Sequence, residues 1–502
     1  MNMQTTVRSR ERTLLPSAAK GLILLAFAAV GLMIAAASAY VLLANTNPRG
    51  FFLLYAAVPA LCMLAGALFL PKERPGTRIF LMLLSAAALV LKGAVALTVT
   101  PQLESDFYLL HYAAEQLAQG NNILNDTSYF QLWPYQSFFV ALLAGVIKLF
   151  GPSPVIFRLT NVLFSALTNL LVYGLAKRFA SERAARVSAL LFLFYPGTYF
   201  LIPLLTNQHL SEFLLLAALW VCTAPARKWS VQLWLGGAGG VLLALSNAVR
   251  PMGVVAAMAM CACLVLRVLE WLGDRSHALW ARLLPGLCFL AAYFLCGKLL
   301  SGLVIWTGLN QYGLTNRAPE WKFILGLNQE TMGRYSDTDA AAVFGAGVDQ
   351  RQVLEALAKE RLSISLPDLL KLMVQKIRIM WGGFEDASWI LTPRYLEELE
   401  QRGLKELVVY LVDKLQRLGA GCYIAMGLAN AGGALSALRR RKPLPETQRL
   451  LILTALAYFC AHLFIEIQIR YRSTMTVLLI VLAAAGFDWL YELLRSRKPQ
   501  KV

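Results

Sequence analysis

Apolar segments of about 20 residues recur along this chain, and their recurrence constrains the fold more than any other feature. Each such segment is long enough to cross the hydrocarbon core of a bilayer as one helix. Of the 502 residues, 58% are hydrophobic and only 15% are charged. Because soluble domains carry about 25% charged residues, a large soluble enzyme is excluded. The sequence predicts an all-α polytopic membrane protein.

About twelve transmembrane helices are predicted, together with external amphipathic surface helices. Short cytoplasmic loops are enriched in Lys and Arg, so the placement of basic residues orients the spans. With both termini in the cytoplasm, every second loop carries a basic cluster and faces the cytoplasm. The net charge of +18 therefore indicates membrane loops rather than a nucleic-acid partner. The predicted spans are 21–44, 51–70, 79–99, 155–176, 185–203, 209–225, 231–249, 252–270, 283–304, 419–437, 449–466 and 472–493. The basic residues assigned to the cytoplasm are Arg8, Arg10, Arg12, Lys20, Lys72, Arg74, Arg78, Lys177, Arg178, Arg183, Arg186, Arg227, Lys228, Arg275, Arg282, the run Arg439 to Lys442, Arg495, Arg497 and Lys498.

The first long external loop decides whether this topology works. Residues 100–133 contain no Lys or Arg, as expected outside the cytoplasm. Residues 134–150 resemble a span, but if they crossed the membrane, every later basic loop would face outside. The segment is short, begins with Pro134 and contains Lys148, so we expect a helix lying on the external membrane surface.

Four regions are predicted. Residues 1–78 are an N-terminal extension of two spans, and 79–305 are a transmembrane core with a catalytic first external loop at 100–154. Residues 306–418 form a small external helical cap, and 419–502 hold the last spans and a basic cytoplasmic tail. Inside one span, the glycines of 236–240 indicate close helix packing rather than a phosphate-binding loop.

Ionisable and polar residues gather at the external ends of the predicted spans, although they are far apart in sequence. Such residues are costly within or beside a membrane, which makes each one a functional candidate. The candidates are Lys92, Asp106, Tyr135, Asn207, Gln208, His209, Glu212, Arg250, Lys298, Glu466, Arg470 and Arg472.

Each candidate also has a purely structural explanation. Lys92 would extend to the external headgroups, and the arginines would be interfacial anchors. His209 and Glu212 would form a contact between helices. Asp106, with Ser105, would cap the following helix, which does not exclude catalysis.

One or two carboxylates beside several cations suit a particular kind of chemistry. Cations hold a lipid-linked phosphate or pyrophosphate and stabilise its charge as it leaves. A carboxylate takes the proton of an attacking hydroxyl. The absence of a P-loop or a strand followed by G-x-G-x-x-G argues against nucleotide chemistry.

Several segments in this order resemble the GT-C glycosyltransferases, most closely the family 39 type that includes protein O-mannosyltransferases and the aminoarabinose transferases of lipid A. The resemblance covers about residues 80–495. No single motif carries it; the order and spacing of the segments do. The segments are Ser105-Asp106 after a span, Tyr129 to Tyr135 before a surface helix, Lys148 to Gly151, Arg158 to Asn161, Lys177 to Phe179, Asn247 to Pro251, and Arg470 to Arg472.

The resemblance implies inverting transfer of a sugar from a polyprenyl-phosphate carrier to a hydroxyl acceptor on the extracytoplasmic face. Asp106 and Glu212 would be catalytic, and the donor phosphate would be bound by Arg250, Arg470, Arg472, Lys92 and Lys298. Asn207, Gln208, His209, Tyr135 and Glu466 would contact the acceptor. Gln208 stands where many members carry a second acid, so no metal ligand and no cofactor are expected, and an essential divalent ion is not favoured.

Two other functions stay open. A lipid or small-molecule transporter, or flippase, would show paired broken helices near the midplane. A non-catalytic membrane assembly protein would leave Asp106 and the cations apart in space. The predicted partners are the polyprenyl-phosphate sugar, the bilayer and an unidentified hydroxyl acceptor, and the predicted location is the plasma (inner) membrane.

Overall fold

All regular elements in the described part of the chain are helices, which confirms the predicted all-α class. The computed structural model describes residues 3–48, 50–71, 73, 76–273, 278–345, 349–440 and 443–496. The first eleven helices are α1 (Met3–Ala44), α2 (Gly50–Phe69), α3 (Thr77–Thr98), α4 (Ser105–Ala118), α5 (Ser128–Leu132), α6 (Gln136–Phe150), α7 (Pro154–Ala176), α8 (Glu182–Phe194), α9 (Pro196–Leu201), α10 (Gln208–Cys222) and α11 (Trp229–Val249).

The second half of the chain places several short helices between two groups of long ones. A π-helical turn, Arg378–Gly382, and a 3-10 turn, Ile469–Arg472, interrupt the order. The remaining helices are α12 (Gly253–Gly273), α13 (Leu279–Trp306), α14 (Trp321–Gly326), α15 (Asp337–Phe344), α16 (Gln350–Leu362), α17 (Leu366–Ile377), α18 (Pro393–Gln401), α19 (Lys405–Arg439), α20 (Glu446–Phe464) and α21 (Ser473–Ser496).

Ten of the described helices are long and apolar enough to cross a membrane, so the protein is a multi-pass membrane protein. The count of twelve is not confirmed. The predicted span 185–203 is divided between α8 and α9, because the backbone at Tyr195 is extended before Pro196. The predicted span 209–225 corresponds to α10, whose 15 residues are fewer than the roughly 20 that a span needs.

The first predicted external loop folds around an apolar cluster of its own. Phe107 and Leu110 of α4 pack in one cluster with Phe139, Val140 and Leu143 of α6. Residues 134–150 therefore form a helix whose buried face is covered by α4. The amphipathic pattern of these two helices is what joins them into one unit above the bundle.

Two helix contacts fix the arrangement of the bundle. A Cβ on Gly236 would lie 2.3 Å from Pro285 O, and one on Gly240 would lie 2.2 Å from Phe289 O. The glycines of α11 thus allow α13 to approach closely, as predicted for the run 236–240. On the other side, α1 and α2 both pack against α19, so the predicted N-terminal extension contacts the C-terminal helices.

The connections predicted to be external meet at one end of the bundle, which we call the loop end. There Asn122 Nδ2 donates to Gly308 O at 2.9 Å, and Glu466 N donates to Lys322 O at 2.7 Å. The loop end comprises the described residues of 99–153, 202–207, 250–252, 307–404 and 465–472.

The opposite end, which we call the basic end, comprises the described residues of 70–78, 177–186, 223–228, 438–446 and 486–496. Arg183 Nε donates there to Leu70 O at 2.7 Å. The membrane side that each end faces stays a prediction. Of the basic residues assigned to the cytoplasm, Lys72, Arg74, Arg275, Arg441, Lys442, Arg497 and Lys498 lie outside the described residues.

Candidate active site

Asp106 lies in the first turn of α4 at the loop end. Glu104 occupies the N-cap position and makes no side-chain cap hydrogen bond, so the cap predicted for Ser105 and Asp106 is absent at this helix. Ser105 has a φ of +52°, a left-handed conformation that costs about 1–3 kcal/mol in a residue with a Cβ. Strain of this kind is common beside functional groups. The next residue is Asp106, whose side chain is 45% exposed.

Arg470 is the cation that faces Asp106. Its Nη2 lies 3.9 Å from Asp106 Oδ2, and its Cζ lies 5.2 Å from the Phe107 ring and 5.1 Å from the Trp389 ring. Aromatic faces attract a guanidinium without using its N–H donors. The structure therefore brings together an acid and a cation that are far apart in sequence, and Arg470 keeps donors for an anion.

Arg250, the second predicted phosphate ligand, ends α11 at the same place. Its Nη1 donates to Asn207 Oδ1 at 3.0 Å, and its Cζ lies 5.1 Å from the Tyr471 ring. Asn207 Nδ2 in turn donates to Val249 O at 2.9 Å. Asn207 was predicted to contact the acceptor, but these bonds show that it orients Arg250.

Gln208 also differs from its predicted acceptor role. Its Nε2 donates to Arg470 O at 2.6 Å and to Ser473 Oγ at 2.8 Å. Its Oε1 accepts from Thr206 Oγ1 at 3.0 Å. Both ends of the amide are used within the protein, so Gln208 fixes the 3-10 turn that carries Arg470.

Lys322 of α14 is a further cation that the sequence did not single out. The segment 306–418 carries many basic residues, and nothing in the pattern distinguishes this one. Its Nζ bonds Glu466 Oε2 and lies 5.6 Å from the Trp133 ring. The Glu466 side chain is fully buried against Lys322. The contact of Glu466 with an acceptor, expected from the sequence, stays a prediction.

Electrostatic interactions link Lys322 and Tyr135 to the same cluster. Burial alone would lower the pKa of Lys322, but nearby Tyr471 and Glu466 raise it above its ordinary value. Burial raises the pKa of Tyr135, although Arg250 and Lys322 act in the opposite direction. Lys322 is therefore a charged ammonium at neutral pH, and Tyr135 is a neutral hydroxyl beside two cations.

A small, partly open cavity of about 20 Å³, room for roughly one water molecule, lies beside Arg470, and we call it the loop-end cavity. The predicted residues His209, Glu212, Arg470 and Arg472 line it, and Asp106 contacts Arg470. Further residues that line it were not predicted from the sequence, because they lie in the long segment 306–418 or at the break before α9. These are Tyr195, Glu385, Asp386 and Trp389.

His209 and Glu212 are polar groups deep in this cavity. His209 is 2% exposed, and its Nε2 has no hydrogen-bond partner among the described residues. Glu212 is 3% exposed, and its Oε1 accepts from Thr474 Oγ1 at 3.4 Å. Buried polar atoms without a partner are few in folded proteins. The imidazole is therefore a candidate donor or acceptor for a bound molecule.

Arg472 was predicted to bind the donor phosphate, but its Nη1 and Nη2 are used inside the protein. Its Nη1 donates to Met380 O at 2.9 Å and to Gly383 O at 2.7 Å, and its Nη2 lies 2.8 Å from Glu385 Oε1, whereas its buried Nε has no hydrogen-bond partner among the described residues. Glu385 also accepts from Tyr195 OH. Arg472 thus joins the π-helical turn to the 3-10 turn and holds Arg470 in place.

Lys92 and Lys298 are not brought to the phosphate-binding cluster. Lys92 is fully buried, which excludes an extended conformation reaching the headgroups. Its Nζ donates to Ser165 Oγ at 2.7 Å and lies 4.5 Å from the Phe192 ring. Lys298 is exposed on α13. Among the described residues, neither lies beside the Tyr471 ring, where Arg250 and Arg470 meet, and a role of either lysine in binding a phosphate stays a prediction.

Lys376 and Gly326 hold the loop that carries Glu466. Lys376 is 1% exposed, and its Nζ donates to Gly326 O, Leu463 O and Ile465 O at 2.8–2.9 Å. A Cβ on Gly326 would lie 2.2 Å from Phe464 O, so only glycine allows this approach. The ends of α14 and α20 are thereby joined, which fixes the Lys322–Glu466 pair.

Within the described ranges, no group of three or more His, Cys, Asp or Glu side chains is arranged to hold a metal ion. The independence from a metal or cofactor stays a prediction. The chemistry available at the loop end is that of carboxylates, guanidinium groups, an ammonium group and an imidazole.

The fold and the site together define a polytopic helical membrane protein with a charged cavity at one end of its bundle. Residues 137–294 match the family model described as dolichyl-phosphate-mannose-protein mannosyltransferase. This match confirms, for that segment, the resemblance to the protein O-mannosyltransferase type that the sequence motifs indicated.

Solved structures show weaker likenesses. ArnT from Cupriavidus metallidurans bound to undecaprenyl phosphate is 17% identical, with a TM-score of 0.36, over 84% of this chain and 77% of that chain. The Archaeoglobus fulgidus oligosaccharyltransferase tethered with an acceptor peptide is 12% identical, with a TM-score of 0.31, over 80% of this chain and 55% of that chain. Among curated proteins no match was found.

Proposed function

We propose that this protein is a membrane glycosyltransferase that moves a sugar from a polyprenyl-phosphate carrier to a hydroxyl acceptor at the loop end. The observation that carries the proposal is the 3.9 Å approach of Arg470 to Asp106, with Arg250 and Arg470 both beside the Tyr471 ring and Arg470 lining the loop-end cavity. The family model over residues 137–294, whose description names a dolichyl-phosphate-linked sugar, supports the same reaction class.

In the proposed reaction, Arg250 and Arg470 bind the phosphate of the donor. The bond between the sugar C1 and the phosphate oxygen breaks, and its electron pair stays on the phosphate. The acceptor oxygen forms the new bond to C1 in one displacement, which inverts the configuration at that carbon. Asp106 takes the acceptor proton, a step for which an exposed carboxylate within reach of the cavity mouth is suited.

A hydroxyl group of the sugar or of the acceptor would enter the loop-end cavity. His209 Nε2 is unpaired among the described residues and lines the cavity together with Glu212. Hydroxyl groups of a sugar both donate and accept hydrogen bonds, so they would satisfy an imidazole nitrogen and a carboxylate together. We assign His209 and Glu212 to substrate binding, and Asp106 alone to proton transfer.

The sidedness of the reaction follows from the charge distribution of the sequence. The basic end carries the clusters that favour the cytoplasm, which would place the loop end and its cavity outside the plasma membrane and both termini inside. A cysteine introduced at Asn121, which is exposed in the loop between α4 and α5, tests this assignment. A membrane-impermeant thiol reagent should label it in intact cells before permeabilisation.

A transporter is the second candidate, because transporters often contain broken helices. Here the extended residue Tyr195 separates α8 from α9, and its buried OH forms a hydrogen bond with Tyr423 OH. The third possibility, a non-catalytic assembly protein, predicted that Asp106 and the cations would lie apart. Their separation of 3.9 Å at Arg470 argues against it.

The decisive experiment offers the purified protein a polyprenyl-phosphomannose donor together with extracted envelope material. Release of polyprenyl phosphate and a gain of one hexose on an acceptor, both detected by mass spectrometry, would support transfer. Movement of the intact donor between vesicle leaflets without release of polyprenyl phosphate would instead establish the transporter.

A further inference from the structure

Three cations surround the ring of Tyr471. Arg250 Cζ lies 5.1 Å from the ring centroid, Arg470 Cζ lies 5.8 Å from it, and Lys322 Nζ lies 6.0 Å from it. Three cations around one ring repel one another, and the repulsion is stronger where water is partly excluded. An arrangement of this kind is favourable when an anion binds among the three groups.

The acids beside these cations do not fill that role. Asp106 approaches only Arg470 and at 3.9 Å, and it is needed for proton transfer. Glu466 pairs with Lys322 from the buried side, while 41% of the lysine side chain stays exposed. An ammonium group has three N–H donors, so bonding to Glu466 leaves donors for a second oxygen.

We propose that Lys322 is the third ligand of the lipid-linked phosphate and that Glu466 positions it. This inference rests on the proposed function, because it concerns the same phosphate-binding site. When C1–O cleavage leaves the electron pair on the phosphate, a diester with one negative charge becomes a monoester with −1.5 to −2 at about pH 7. Arg250 and Arg470 suffice for the diester, and Lys322 stabilises the additional charge of the product.

The experiment measures binding of farnesyl phosphate, a short polyprenyl monoester, to the purified full-length protein in detergent. Lys322→Ala should weaken binding about tenfold, as expected for one hydrogen bond to a charged group. Glu466→Ala should also weaken binding, because Lys322 would lose the carboxylate that positions it, and unchanged binding in this variant would overturn the positioning role of Glu466. Inorganic phosphate, the headgroup without the lipid, should compete at least tenfold less well than farnesyl phosphate.

Lys405 provides the matched control. Its side chain is also 41% exposed and forms a 2.6 Å ion pair with Glu400, but it is not one of the three cations beside the Tyr471 ring. Lys405→Ala should bind farnesyl phosphate as the unchanged protein does. Melting temperatures of all variants establish folding, and Lys322→Gln, which keeps a polar contact to Glu466, replaces Lys322→Ala if the latter unfolds.

The outcomes separate the inference from the proposed function. Unchanged binding in a folded Lys322 variant, together with weaker binding in Arg470→Ala, would overturn the role of Lys322 and leave the glycosyltransferase proposal standing. Failure of the unchanged protein to bind farnesyl phosphate would overturn both. Equal competition by inorganic phosphate would overturn the lipid-linked assignment.

Discussion

At the basic end, Glu182 is surrounded by donors, whereas at the loop end Asp106 has one distant cation. Glu182 is 1% exposed, and its Oε1 accepts from Tyr173 OH at 2.8 Å and from Arg186 Nε at 2.9 Å. Its Oε2 lies 3.4 Å from Lys177 Nζ. Asp106 is 45% exposed, and its carboxylate contacts Arg470 at 3.9 Å.

The comparison shows that residue type alone does not distinguish a charged group that stabilises the fold from one that is available to a ligand. Both ends contain Glu, Asp, Arg and Lys at helix ends. At the basic end Glu182 pairs with Lys177 and Arg186 inside the protein, so these charges tie the ends of α7 and α8 to each other. At the loop end Arg250, Arg470 and Lys322 meet around the Tyr471 ring and keep hydrogen-bonding capacity for a ligand.

Asp106→Asn should test this contrast with the largest effect. Loss of the proton acceptor should reduce sugar transfer by about 10²–10⁴-fold. The melting temperature should stay that of the unchanged protein, because the exposed carboxylate makes little contribution to stability. Product formation and thermal unfolding are measured on the same preparation. Near-normal turnover would refute the assignment of the base.

Glu182→Ala should have the opposite pattern. Removing one partner of a buried ion pair leaves the other uncompensated, so the free energy of unfolding should fall by about 3–5 kcal/mol. Activity per folded molecule should be preserved, because Glu182 is at the basic end. Denaturant titration in detergent provides the measurement, and an unchanged unfolding free energy would show that the basic end is not an anchor.

Arg470→Ala should raise the KM for the donor about tenfold and change the KM for the acceptor less, because a hydrogen bond to a charged group is lost. Arg472→Ala provides the internal contrast. It should lower the melting temperature, since Glu385 would be left buried without its cation. Steady-state kinetics at varied donor concentration measure the first effect. An equal rise in both KM values would contradict the donor role of Arg470.

Lys376→Met should have the smallest effect, and one that depends on pH. Burial lowers the pKa of Lys376 from 10.5 to about 7. Between these two values the unfolded chain holds a proton that the folded protein has released, so this group favours folding more as the pH rises. The melting temperature of the unchanged protein, relative to that of Lys376→Met, should therefore increase from about pH 7 to about pH 9. If the difference in melting temperature did not change with pH, the three carbonyl groups would be keeping the Lys376 ammonium charged.

The broad architecture was accessible from the sequence, because apolar length and basic loops are local properties. The closely packed glycines Gly236 and Gly240 were also identified correctly from their spacing. The break at Tyr195–Pro196 was missed, since hydropathy is continuous across it and only the backbone shows the extended residue.

Parts of the candidate site were accessible in the same way. A charged residue at a span end is conspicuous, so Asp106, Arg250 and Arg470 were found. Lys322 and Glu385 lie in a polar segment where charged residues are ordinary, and no sequence signal distinguishes them. Arg472 and Asn207 were found, but their roles depend on which neighbours use their hydrogen bonds.

The sequence by itself determined that this chain spans a membrane many times and that its candidate acid and cations lie at one set of span ends, because hydropathy and charge act residue by residue. Only the tertiary structure decided which of those groups stay available to a ligand and which form hydrogen bonds or ion pairs within the protein. That decision depends on hydrogen-bond partners contributed by distant segments, and no local pattern records them.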